Sequence, residues 1–210
     1  MTRIGDGQIS ELIRRPLVTD GPVNSPFRGE VFVYMRDAQT GELVDSWHFK
    51  NVITNDASIF VARLIKDPAE PTAGAFALAV GTGDVGWDLQ NVPAAASSQG
   101  SLYNELFRKQ FSAIDFIDAG GLTSLIPTNV LDFTCTFAAA EAVGALVEMG
   151  IVCGPTDITL PLTANTIAQG DWNDPSIDRS AYDTFLNVRN FNVINKPGTM
   201  TLTFVWRVTF

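Results

Sequence analysis

The sequence predicts a mainly β protein: an antiparallel β-sandwich with one short helix and an extended N-terminal arm. Three observations predict it. The last twelve residues alternate without a break, with Met200, Leu202, Phe204, Trp206, Val208 and Phe210 set against Thr199, Thr201, Thr203, Val205, Arg207 and Thr209. That is the two-residue period of a strand. The same period recurs over Glu30–Arg36 and over Leu131–Phe137, whereas Met1–Arg28 has no sustained period and carries Gly5, Gly7, Pro16, Gly21, Pro22 and Pro26. The expected organisation is therefore an arm over 1–28 followed by a single sandwich domain over 29–210.

The elements follow in order. Within the arm only Ile9–Arg15 can form a helical turn, and an arm of this kind is ordered by a neighbouring subunit or stays mobile. Val31, Val33 and Met35 alternate with Phe32, Tyr34 and Arg36. Asp37–Glu42, with Thr40 and Gly41, then turns the chain into a second strand over Leu43–Lys50. Asn55 or Asp56 is placed to cap a helix over Ala57–Lys66, with Ile59, Phe60, Arg63 and Leu64 at helical spacing and Pro68 as its stop. Phe76–Val80 is a short apolar strand ended by Gly81-Thr82-Gly83, and Asp84–Gly100 is a long loop of Gly, Ala, Ser and Asn on the surface. Asn104–Phe116 begins as a helical turn and passes into a strand.

Leu131, Phe133, Cys135 and Phe137 form an inward face, with Asp132, Thr134 and Thr136 outward, and Ala145–Cys153 is a further strand. Gly154–Tyr182 holds Pro155, Pro161, Pro175 and the acidic run Asp171–Asp178, and reads as an elaborated loop. Phe185–Ile194 resumes the sheet. Asn187–Gly198 and the last strand together read as a closing hairpin, with the carboxyl-terminus at the rim of a packed sheet. The apolar face of that strand, at about 25 cal/mol per Å² buried, contributes several kcal/mol.

Composition narrows the function. The 210 residues are 46% hydrophobic, and 23 acidic against 14 basic side chains give a net charge of −9. Neutralising nucleic-acid phosphates needs clustered Lys and Arg, and no such cluster is present, so no nucleic-acid partner is expected. No stretch approaches the roughly 20 apolar residues of a membrane span, and Met1–Ser10 lacks the make-up of a signal peptide. The expectation is synthesis in a cytoplasm and no membrane partner. Cys135 and Cys153 have neither a CxxC nor a metal-ligand spacing and are expected as free buried thiols.

Catalytic chemistry is not legible. His48, the single histidine, lies between Trp47 and Phe49; on a strand it faces away from both and reads as a surface or edge residue. Gly81-Thr82-Gly83 follows a strand but lacks the remainder of a phosphate-binding fingerprint, so it reads as a tight turn. Asp171, Asn173, Asp174 and Asp178 offer oxygen ligands without the spacing of a calcium loop and read as solvated. Asp115, Asp118, Asp132, Glu141 and Glu148 pair into an acid and a base in too many ways to single out one. No catalytic, cofactor-binding or metal-binding residue is assigned. Trp87, Trp172 and Tyr182 fall in the long loops, where they either plug the ends of the sheets or contact a partner or glycan.

Four segments carry a family resemblance: FALAVGTG at 76–83, NELFRKQF at 104–111, LDFTCTFAAAEAVGALVEMGIV at 131–152, and LNVRNFNVINKPGTMTLTFVWRVTF at 186–210. Their order and spacing resemble a family of tailed-bacteriophage virion structural proteins. The resemblance covers roughly residues 51–210, and the loops at 84–100 and 154–182 depart from shorter members. It implies a non-enzymatic virion component, made in the host bacterial cytoplasm, that assembles with copies of itself and with other virion proteins. Its place, as a tail, baseplate or neck accessory or as capsid decoration, stays open. The alternative reading is a carbohydrate-binding or host-adhesion module using Trp87, Trp172 and Tyr182 on a host-surface glycan.

Overall fold

The computed structural model describes residues 28–66, 72–155, 166–167 and 184–210. The arm expected over 1–28 lies outside them except for Arg28, as do Pro68 and most of the loop at 154–182. The strands are β1 (Arg28–Asp37), β2 (Leu43–Lys50), β3 (Val52–Ile53), β4 (Thr72–Gly81), β5 (Glu105–Gln110) and β6 (Ala113–Ile117). They continue with β7 (Thr123–Ser124), β8 (Val130–Phe137), β9 (Gly144–Pro155), β10 (Thr166–Ile167), β11 (Thr184–Lys196) and β12 (Met200–Thr209). Among the described residues there is one helix, α1 (Asn55–Lys66), between β3 and β4.

Two six-stranded sheets form, ordered β2-β1-β12-β8-β6-β7 and β10-β5-β4-β9-β11-β3, and every pairing among the described residues is antiparallel. Their inner faces share one core. Val31 and Val33 of β1, Phe133 and Cys135 of β8, and Phe204 and Trp206 of β12 meet Leu78 of β4, Met149 and Ile151 of β9, and Ile194 of β11. Aromatic rings bridge the layers at three places: Phe49 to Phe191 (5.3 Å), Phe107 to Phe137 (5.7 Å) and Phe111 to Phe133 (5.3 Å). This is the interdigitation by which two amphipathic sheets remove their apolar faces from water. The fold class is the expected one, a mainly β sandwich, with one short helix among the described residues.

The alternation of the last strand puts Leu202, Phe204, Trp206 and Val208 inward, and all four are buried. β12 lies in the middle of its sheet, between β1 and β8. Phe210 sits at the rim as expected, its amide donating to the Asn129 carbonyl (2.8 Å).

Several elements differ from their expectations. The closing hairpin is not one: β11 and β12 belong to different sheets, so Pro197–Thr199 carries the chain across the core. β8 and β9 are related in the same way. Over 104–116 there is no helical turn but two short strands, β5 and β6, again in opposite sheets and joined through Phe111–Ser112.

The helix cap is Thr54 rather than Asn55 or Asp56, with Thr54 Oγ1 accepting from the Ala57 amide (3.2 Å). The same hydroxyl donates to the Phe185 carbonyl, which ties the helix start to β11. Ala57 and Phe60 face the core, whereas Ile59 is 58% exposed, because the capping contact fixes the rotation of the helix about its axis.

The loop at 84–100 is a cover rather than a free excursion. The outer face of the second sheet presents Ala77, Ala79, Val152, Phe185 and Val188, and Ala95 and Leu102 pack onto it. The register of β11 breaks between Asn190 and Ile194, which frees the Val193 amide to donate to Leu89 of the loop (2.9 Å). Gly150 makes room for this layer: a Cβ there would lie 2.5 Å from the Phe185 ring and 3.0 Å from the Asn187 carbonyl.

Truncating a ring at the centre of the shared core removes contacts from both sheets. Phe204→Ala is expected to cost about 3–5 kcal/mol of unfolding free energy, read as a fall in the urea midpoint. Ile65→Ala, on a helix side chain 80% exposed, is expected to change it by less than about 0.5 kcal/mol. Equal effects of the two would show that the core is not where the aromatic rings converge.

Candidate functional site

The apolar run Ala145–Val152 of β9 contains one charged residue, Glu148, and that residue is fully buried. A carboxylate without water needs donors, and three backbone amides supply them. Oε1 accepts from Gly83 (3.0 Å) and Asn104 (2.8 Å), and Oε2 accepts from Tyr103 (2.8 Å). One side chain thus gathers both ends of the loop that joins β4 to β5. Burial raises the proton affinity of Glu148, and the three amides oppose that rise. With both oxygens engaged by backbone, the carboxylate anchors the loop.

The anchor fixes two aromatic side chains. Trp87 meets Tyr103 edge to face, with ring centroids 4.8 Å apart. The indole rests against Gly83 and lies beside Val147; Gly83 has φ of 70°, and any Cβ there would collide with the indole. Tyr103 is 60% exposed and Trp87 half-buried. Asn104 Nδ2 donates to Thr82 Oγ1 (2.6 Å), which closes the polar edge of the same segment.

The other expected site residues are placed as follows. Trp87 is part of this anchored pair, while Trp172 and Tyr182 lie outside the described residues, as do Asp171, Asn173, Asp174 and Asp178. His48 points away from Trp47 and Phe49, stacked on Phe32 (4.6 Å) with Nε2 3.3 Å from Glu30. That hydrogen bond holds the Glu30 carboxyl below its ordinary range. At Gly81-Thr82-Gly83 the tight turn expected there lies just beyond: Gly81 ends β4, the Gly83 amide donates to Glu148 Oε1, and the hydrogen-bonded turn follows at Asp84–Trp87.

Of the five acidic residues only Asp115 and Asp132 face each other, as ladder partners of β6 and β8, and both oxygens of Asp132 are taken by Arg207. Asp132 forms a buried bidentate pair with Arg207 (2.7 Å and 2.7 Å) on the outer face of the first sheet. Asp115 stands across the ladder from Asp132, and Asp118 accepts from Leu122 within its own turn (2.9 Å). Glu141 Oε2 takes Lys109 Nζ (2.6 Å) and the Ala138 amide (2.8 Å) in the crossing from β8 to β9. Lys196, at the end of β11, donates to the Ala138 and Ala139 carbonyls of that crossing (2.9 and 3.0 Å). Among the described residues no cluster of three or more His, Cys, Asp or Glu is placed to hold a metal.

Sequence reasoning missed Tyr103 and the roles of Glu148, Glu105 and Arg108. Arg108 is 1% exposed, bound to Glu105 through two bonds of 2.6 and 2.7 Å, and its guanidinium lies 5.9 Å over the Phe185 ring. The signal for Glu148 was present as a lone carboxylate inside a run of apolar residues. Nothing local marked Tyr103, because its partner Trp87 is sixteen positions away. No protein-family model matches this chain, and no curated protein sequence matches it.

Replacing Glu148 with glutamine turns an NH2 donor toward the Tyr103 amide or toward those of Gly83 and Asn104. Glu148→Gln is expected to cost about 1–3 kcal/mol and to speed amide hydrogen exchange at Gly83, Tyr103 and Asn104 before the rest of the sheet. Unchanged protection at those amides would refute the anchoring role.

Cys135 and Cys153 are free and buried, and burial pushes both thiols up to about 12. The thiolate is the reactive form. Neither thiol is expected to react with a disulfide reagent at pH 8 in the folded protein, and both are expected to react in denaturant. A fast-reacting thiol in the folded state would contradict this.

Proposed function

We propose that this chain is a non-enzymatic structural component of a tailed-phage virion, a tail, baseplate or neck accessory or a capsid decoration protein, acting through oligomeric assembly. The observation that carries the reading is the way the four resembling segments come together. Residues 76–83 supply most of β4 and Gly83, 104–111 supply Asn104 and β5, and 131–152 supply most of β8 and of β9, with Glu148. Residues 186–210 supply most of β11 and all of β12, which flank β9 and β8. The segments therefore form one contiguous structural unit, and the charged groups buried within it bind backbone or one another. A resemblance carried by core and turn residues is the kind that preserves a scaffold rather than a catalytic site.

Two exposed apolar features suit contact with other chains. Leu122, Leu125 and Ile126 protrude between β6 and β8, with Leu125 fully exposed, and Ile59 and Ile65 protrude from α1. Symmetric homo-oligomers are the common way to build a repeating surface from one chain.

Light scattering on the purified protein is expected to give an integer multiple, two or more, of the 22.7 kDa chain mass. Antibody against the chain is expected to label intact phage particles. A strict monomer that also fails to bind or label particles would overturn the proposal.

A further inference from the structure

We propose that the Trp87–Tyr103 pair is the floor of a binding site for a neutral, hydroxyl-rich glycan, separate from the surfaces used for assembly. The inference rests on three observations. First, an aromatic pair stands at the surface, with Tyr103 60% exposed and its ring 4.8 Å from that of Trp87. Aromatic faces accept the apolar C–H faces of a sugar ring while leaving its hydroxyls to polar neighbours.

Second, the pair is built rigidly. Glu148 holds the backbone at Tyr103, Asn104 and Gly83, and Trp87 is seated against Gly83. Asp84 Oδ1 accepts from Gly86 (2.7 Å), Asp88 Oδ1 accepts from Gln90 (3.0 Å), and the Trp87 amide donates to the Asp84 carbonyl (3.0 Å). A loop ordered before its ligand arrives loses little entropy on binding.

Third, the surroundings select the ligand. Exposed Asn104 and half-buried Thr82, bonded to each other through Nδ2 and Oγ1, keep further donor and acceptor capacity, and Asp84 and Asp88 on either side of Trp87 in the chain are exposed carboxylates. Carboxylates accept sugar hydroxyls and repel phosphates, sulfates and acidic sugars. The net charge of −9 acts in the same direction.

The test is titration calorimetry of the full chain with chitohexaose, cellohexaose and mannohexaose. At least one is expected to bind, and Tyr103→Ala is expected to weaken that binding at least tenfold without moving the urea midpoint, since Tyr103 is mostly exposed. Leu125→Ala, on the loop between β7 and β8, is expected to bind as the wild type does. Absence of binding to all three by the wild type would overturn the proposal, as would equal binding by Tyr103→Ala. A Tyr103→Ala variant that loses oligomer mass while the wild type binds no glycan would assign the pair to a protein contact, and so overturn it too. The assembly proposal is read by mass and particle labelling, so either can fail alone.

Discussion

Two sheets that share one apolar interior must be joined by chain that leaves one layer and enters the other, and the rest of this structure follows from how those crossings are held. The chain changes sheets between β2 and β3, β5 and β6, β8 and β9, and β11 and β12. A hairpin turn is held by the ladder on either side of it, whereas a crossing has no ladder across it. Its polar backbone groups must find partners elsewhere or remain unsatisfied beside a dry core.

The buried charges lie close to these requirements. Lys196, leaving β11, donates to two carbonyls of the β8–β9 crossing, and Glu141 within that crossing takes both Lys109 of β5 and its own Ala138 amide. Two crossings are thus fastened to each other. Burial lowers the proton affinity of Lys196 and nearby Glu141 opposes the change. Glu148 performs the same service for the loop from β4 to β5. A desolvated charge is costly when unpaired, so each of these side chains holds its segment more firmly than a neutral group in the same place. On the outer faces the bidentate pair Asp132–Arg207 ties β8 to β12, and Glu105–Arg108 pairs two side chains of β5 with each other.

This arrangement also explains why the long loop after β4 is part of the fold. Its ends are anchored on Glu148, its middle packs Ala95 onto Ala77, Ala79 and Val188, and the bulge in β11 gives it the Val193 amide. The outer face of the second sheet is therefore apolar and covered, while the outer face of the first carries Thr136 and Thr203 hydrogen-bonded across strands (2.9 Å). An aromatic pair standing on such a loop inherits the rigidity of the sheet beneath it.

The strands over 31–36, 43–50, 131–137 and 200–209 were legible because a period of two is a local property, written in each segment without reference to its neighbours. The helix was legible for the same reason, although Thr54 rather than Asn55 or Asp56 caps it, since the cap depends on where β11 offers a carbonyl. Layer assignment was not legible. A strand alternates identically whether its successor turns back beside it or crosses to the other sheet, so β11–β12 read as a hairpin. Asp132 read only as part of an outward polar face, because its Arg207 partner lies 75 positions away. The sequence by itself determined which segments are strands and which face of each is apolar, because alternation and turn chemistry act over a few residues. Only the tertiary structure decided which sheet each strand joins, and that Trp87, Tyr103 and Glu148 meet, because those outcomes depend on pairing between segments far apart in the chain.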